Sequence, residues 1–437
     1  MNEITNTLKL EKPLYFDVVT FSPLKVPFAL KAGVSDQSDG YLALLSKINN
    51  LSPAVHVPAL GAQKTDYELI DQDVRDICLF VWRDESYSDC DVLIHVYPSS
   101  IGIAEVRRKQ SLGRDETLDK QNNDLLQNLE QEIQDFSEKV IAESYIRFCE
   151  FVDSIYTSIT HLLLRPEKKL NRKSVSNKSN KPDVLWTART LIFNKKQLAH
   201  KDAEVLIKSW LAKTMNPEDY LAILNKEKDY SMSWLNYVLV DDNNNFDHFR
   251  LDAMRLSQFF YAAQDRANQQ LKSAISSAYV SDSLTVAQER LSRTRVSARL
   301  HLITYNDHLK YLTREKKAAV DEILKSWQFD ELIQNGQRMV EVCSSKLEEA
   351  NSKKRERSSL LTDLILVSLS FFAIVELALT LTEYSREVMS RPTLDFNDDN
   401  TSFFLSYIAN VDTDIMFSTS VVVAIILFVI YHRIKIR

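Results

Sequence analysis

Glycine is scarce in this chain: six in 437 residues, at Gly33, Gly40, Gly61, Gly102, Gly113 and Gly336. None sits in a Walker loop, a GxGxxG turn or a nucleophile elbow, so enzymes built on those backbones are excluded. Proline is equally absent between Pro217 and Pro392. Both shortages favour long uninterrupted helices over loop-rich catalytic folds. The four cysteines, Cys78, Cys90, Cys149 and Cys343, form no CxxC pair, which predicts reduced thiols and no structural zinc. The eight histidines show no HExxH spacing. Only His95, in a strand-like run beside Asp91, merits a test. The chain reads as a non-enzyme with no cofactor, although a divalent cation fits as a permeant or regulatory ion. A net charge of −6 argues against a general nucleic-acid partner.

What the chain does have is concentrated in residues 358–437. Two apolar segments, Leu360–Leu381 and Ile415–Tyr431, flank an acidic loop over 382–414. At the helical rise they extend about 33 and 25 Å, against a hydrocarbon layer about 30 Å thick. Lys353-Lys354-Arg355-Glu356-Arg357 precedes the first, and Arg433, Lys435 and Arg437 follow the second. The loop holds seven acids against Arg386 and Arg391. Positive flanks stay cytoplasmic, which predicts a multi-pass protein of the cell inner (plasma) membrane with both termini inside. The polar N-terminus has no signal-peptide core, so the hairpin is expected to direct insertion.

The preceding residues divide by pattern. Strands are expected over 15–21, 77–82, twice within 91–107 around a Pro98-Ser99-Ser100 turn, and over 184–193 and 234–240. A long helix is expected over 115–164, from Leu129, Ile133, Phe136, Val140 and Ile141 onward. Residues 165–182 carry seven basic residues and one acid. They read either as a solvated loop or as a strip for an anionic, nucleotide-type signalling ligand through Lys168, Lys169, Arg172 and Lys173. The acid- and amide-rich run Asp241–Asp247 has Phe246 where a calcium loop needs glycine, and reads as a turn and helix cap. Helical periods then run through Phe249, Leu256, Phe260 and Ala263, through Leu284, Leu291, Ala298 and Leu302, and from Phe329 to Glu383. The fold class is an α+β cytoplasmic domain (1–245), long stalk or coiled-coil helices (246–357) and a two-helix transmembrane hairpin (358–437).

Glu376 lies deep in the first apolar segment, where a carboxylate facing lipid is costly. At 100° per residue it shares a stripe with Thr380, Glu383 and Glu387 on one side and Phe372, Leu369 and Ile365 on the other. In a ring of copies the acids would attract cations and the apolar trio would form a gate. The opposing reading is a Glu376 that only fixes helix packing, in a non-conducting membrane-anchored sensor or scaffold recruiting partners through its helices.

The long helix from Phe329 through Glu383, the outer helix and the basic tail His432–Arg437 resemble the CorA-type magnesium and divalent cation transporter superfamily. The resemblance is to a divergent member, because Glu383-Tyr384-Ser385-Arg386-Glu387 stands where the family has Gly-Met-Asn. It implies a homopentamer in the lipid bilayer, a pore lined by the first membrane helix, and gating from the cytoplasmic domain. Divergent relatives include effectors of antiviral defence that sense a nucleotide signal, which gives the basic loop a ligand to expect.

Overall fold

The computed structural model describes residues 13–27, 29–30, 46, 48, 53–58, 77–112, 122–159, 163–164, 182–212, 218–233, 235–242, 249–280, 284–310, 312–390 and 403–436. The chain divides into two compact units, Met1–Cys343 and Ser344–Arg437.

The first unit is organised by a sheet. Ten strands are described: β1 (Leu14–Lys25), β2 (Ala29–Leu30), β3 (Val55–His56), β4 (Phe80–Asp84), β5 (Cys90–Val96), β6 (Ile101–Leu112), β7 (Leu163–Leu164), β8 (Ala188–Phe193), β9 (Tyr230–Ser233) and β10 (Asn236–Val240). Eight form one sheet in the order β3-β4-β5-β6-β1-β8-β10-β9, while β2 and β7 pair separately. Neighbours in the large sheet are antiparallel except β8 and β10, whose crossover holds α2 (Lys201–Trp210) and α3 (Asp219–Leu224). β5 turns into β6 through Ser100, at φ 59°. The Ser100 carbonyl accepts from the Val26 amide at 3.1 Å and from Arg266 at 3.0 Å, which holds the non-glycine residue in this conformation.

Both faces of the sheet are covered because both are apolar. In β1, Phe16 and Val18 face one way and Val19 and Phe21 the other, all at most 1% exposed. The first face packs on α1 (Asn122–Ile159), which buries Leu129, Ile133, Val140, Ile141, Phe148 and Val152 at helical spacing, and on α2. The second packs on α4 (Phe249–Val280), α6 (Arg314–Ser326) and the first turns of α7 (Phe329–Ser390). Tyr97 stacks on Phe259 with ring centroids 4.0 Å apart. α5 (Leu284–Leu309) lies on α4, with Tyr305 edge-on to Phe260 at 4.8 Å.

This arrangement moves the expected domain boundary. Residues from 246 onward read as a separate stalk, but α4 to α6 belong to the sheet's unit, which ends at Cys343. The physical reason is the second sheet face. Val19, Phe21, Ile101 and Ile103 would be solvent-exposed unless the apolar stripe of α4 covered them.

In the second unit α7 continues to Ser390, beyond the expected end near Glu383. Its 62 residues extend about 93 Å at the helical rise. α8 (Phe403–Asn410) and α9 (Thr413–Ile436) follow, so the expected outer loop contains a short helix. Among the described residues one helix, α7, is long and apolar enough to cross a membrane, and α8 with Thr413–Val429 of α9, bent by 106°, is so only if the two are taken as one span.

Candidate functional site

The stripe on α7 is exposed, as is most of the helix around it. Ile365 is 48% exposed, Leu369 60% and Phe372 66%, and Glu376, Thr380, Glu383 and Glu387 are exposed as well. On another face, Thr382 and Ser385 are buried at 1% and 0%. Among the described residues of the unit, Ile408 on α8 and Ser420 and Ala424 on α9 are buried as well. Small residues at such positions let helices approach without large side chains between them. Arg386 donates to the Val411 carbonyl at 2.9 Å, joining α7 to the α8–α9 turn.

Hydroxyls along these helices are satisfied locally. Thr362, Ser368, Ser370, Thr380, Thr382 and Ser385 each donate to the carbonyl four residues back, at 2.6–3.0 Å. A polar side chain that bonds its own helix needs no water, which suits an apolar surround. Glu376 and Glu383 differ: among the described residues neither carboxylate has a partner. The structure therefore brings together on one exposed face every residue the sequence assigned to cation attraction and to the gate. The basic-strip residues Lys168, Lys169, Arg172 and Lys173 lie outside the described residues.

His95, the one histidine singled out, is buried in an ionic network on the α4 side of the sheet. Its Nε2 lies 2.8 Å from Glu105 Oε2, Arg107 Nε donates to Glu105 Oε1 at 2.6 Å, and Arg255 donates to Oε2 at 3.3 Å. Arg255 also pairs with Asp252, whose other oxygen lies 3.3 Å from Lys316 Nζ. Burial, reinforced by the Arg255 charge, lowers the His95 imidazole to about 4. Burial alone would raise the Glu105 carboxyl, but the His95 hydrogen bond and the Arg107 and Arg255 charges hold it well below the carboxylate range. A neutral imidazole donating to an ionised carboxylate follows. With every member engaged, the network ties β5 and β6 to α4 and α6. Among the described residues no three potential ligands are grouped to hold a metal.

Apolar periodicity gives no sign of the close contact that Gly336 of α7 makes with α4. A Cβ there would sit 2.5 Å from Asn268 Oδ1 and 2.6 Å from Gln264 Nε2. Gln264 donates to Asn268 at 2.9 Å, and Asn268 donates to the Leu332 carbonyl of α7 at 2.8 Å. The signal was available: polar Gln264 and Asn268, four apart, interrupt an otherwise apolar helix stripe. Comparison with protein-family models, with curated proteins and with solved structures yielded no match.

Proposed function

We propose that this chain is one subunit of a homo-oligomeric membrane cation channel or transporter, pentameric as in the CorA-type superfamily it resembles. The observation that carries the reading is the stripe itself: Glu376 and Glu383 are exposed on α7 in line with Ile365, Leu369 and Phe372, and among the described residues neither carboxylate has a partner. Carboxylates in an apolar span face protein, water or a cation. A ring of copies supplies all three. Ile365, Leu369 and Phe372 then close the path by excluding water when the ring narrows.

Gating runs through α7, because the helix that carries the stripe begins in the sheet-bearing unit, at Phe329. A ligand that shifts the first unit biases the helix, and a nucleotide-type signal at the basic strip of 165–182 would make the protein a defence effector. The test is ion flux in liposomes with Glu376→Gln. Loss of cation-over-anion selectivity with assembly intact is expected; unchanged selectivity in an assembled protein removes Glu376 from the pore. The scaffold reading draws on one observation, the exposed apolar run Val296, Leu300 and Ile303 on α5. Absence of any flux would favour it.

A further inference from the structure

A groove of about 570 Å³ opens between α7 and α9, lined by Leu364, Val367, Phe371 and Ile374 on one side and Ala424 and Phe428 on the other. That volume is in the range of small-ligand sites. The two serines at its edge are already engaged: Ser368 donates to the Leu364 carbonyl at 2.8 Å and Ser370 to that of Leu366 at 2.9 Å. The groove thus offers apolar surface and no free donor, which suits a hydrocarbon chain and not a polar ligand. Its length, from Leu364 to Ile374, is about 15 Å, half the thickness of the hydrocarbon layer. Within Leu360–Leu381 it starts near the end beside the basic run and reaches just past the midpoint.

We infer that this groove holds an acyl chain of an anionic phospholipid from the cytoplasmic leaflet, with its phosphate held by the basic collar at 353–355. The inference rests on the membrane reading of α7. Lys353 lies eleven residues before Leu364, about three full turns, and so on the groove's side of the helix. Its one described partner is Glu349, at 2.8 Å in an exposed pair that yields readily to a phosphate. Lys354 and Arg355 are exposed beside it. Basic residues directly cytoplasmic of a membrane helix attract anionic headgroups. The groove adjoins the Glu376 stripe, since Phe372 lines its rim.

The test is native mass spectrometry of the full-length protein in mild detergent, with added phosphatidylglycerol or phosphatidylcholine. Phosphatidylglycerol should occupy the protein at least fivefold more than phosphatidylcholine. Ala424→Phe, which fills the groove, should reduce occupancy by both lipids, and the triple change K353Q/K354Q/R355Q should remove only the preference. The triple change lies outside the packed helix pair and so stays informative if Ala424→Phe fails to fold. Equal occupancy by the two lipids overturns the proposal. So does an Ala424→Phe variant that alters the oligomer's mass but not its lipid load, since the groove is then a contact between copies. Alkaline carbonate extraction separates the two levels: release of the full-length protein from membranes overturns the membrane reading itself, whereas retention without the lipid preference overturns only the lipid site.

Discussion

Replacing Gly336 with alanine tests whether the Gln264–Asn268 pair grips α7. Helix propensity alone would make the change stabilising by about 1 kcal/mol. The surroundings oppose it. The new Cβ meets Asn268 Oδ1 at 2.5 Å and Gln264 Nε2 at 2.6 Å, so both amides must move by roughly 1 Å to reach ordinary contact. Side-chain ends usually yield cheaply, but these are 7% and 1% exposed and bonded to each other and to the Leu332 carbonyl. A buried amide left without its partner costs about 1–3 kcal/mol, and added volume in a packed site costs about the same. Set against the propensity gain, a net loss of about 1–5 kcal/mol is expected. All five tryptophans lie in the first unit, so urea unfolding of the full-length protein followed by tryptophan fluorescence reads that unit alone. Asn268→Ala removes one of the two amides and the bond that holds Gln264 in place, so Gly336→Ala should cost less in that background than alone. A Gly336→Ala protein that is more stable than the parent would refute the grip.

His95 and His301 are both lowered by burial to about 4, so the unfolded chain takes up protons first as pH falls below about 6.5. Their neutral burial therefore stabilises fully above that pH and is lost on the way down to about 4, each costing on the order of 2 kcal/mol between pH 7 and pH 5; His301→Phe should flatten the urea midpoint's dependence on pH in this window. Gln328, between α6 and α7, sits at φ 54° without being glycine. Gln328→Val, β-branched in the same conformation, should lose about 1–2 kcal/mol, and a neutral result would mean that the turn rearranges. Over 351–356 α7 is exposed on every side, supported from below by Lys346–Glu349 and Glu349–Lys353 pairs. Glycines at Asn351 and Ser352 should cost about 2 kcal/mol locally and raise amide exchange there roughly 30-fold; unchanged exchange would show that something else holds the segment.

Periodicity revealed most of the elements because each buries one face. The helix at Asn122–Ile159 and the strands at Leu14–Lys25 and Ala188–Phe193 fall close to where apolar spacing put them. β9 was not recognisable, since Tyr230–Ser233 mixes Ser and Met without alternation and its pairing with β10 is a tertiary contact. The covering of the sheet by α4 was also hidden: an amphipathic stripe says that a helix packs, not against what. The stripe on α7 was legible because helical geometry alone fixes which residues share a face. The grip on Gly336 needed the structure, because nothing in a single glycine says which side chains approach it.

Under the channel reading, insertion and conduction make different demands on Glu376. Between Leu360 and Leu381 stand fourteen Leu, Ile, Val and Phe residues. At a few tenths of a kcal/mol each they favour insertion by on the order of 5 kcal/mol. One central carboxylate costs about 3 kcal/mol on the same scale, so the segment can enter a membrane with its acid unsatisfied. Assembly then has a reason to follow, since a ring of copies replaces lipid around each Glu376 with water and cations. A purely structural Glu376 would be better replaced by leucine, which removes the cost and fills the same face. Under the channel reading Glu376→Leu therefore has opposite effects on two measurements: membrane integration holds or improves, while cation flux falls. A fall in both together would mean that the carboxylate serves folding of the helix pair and not the passage of ions.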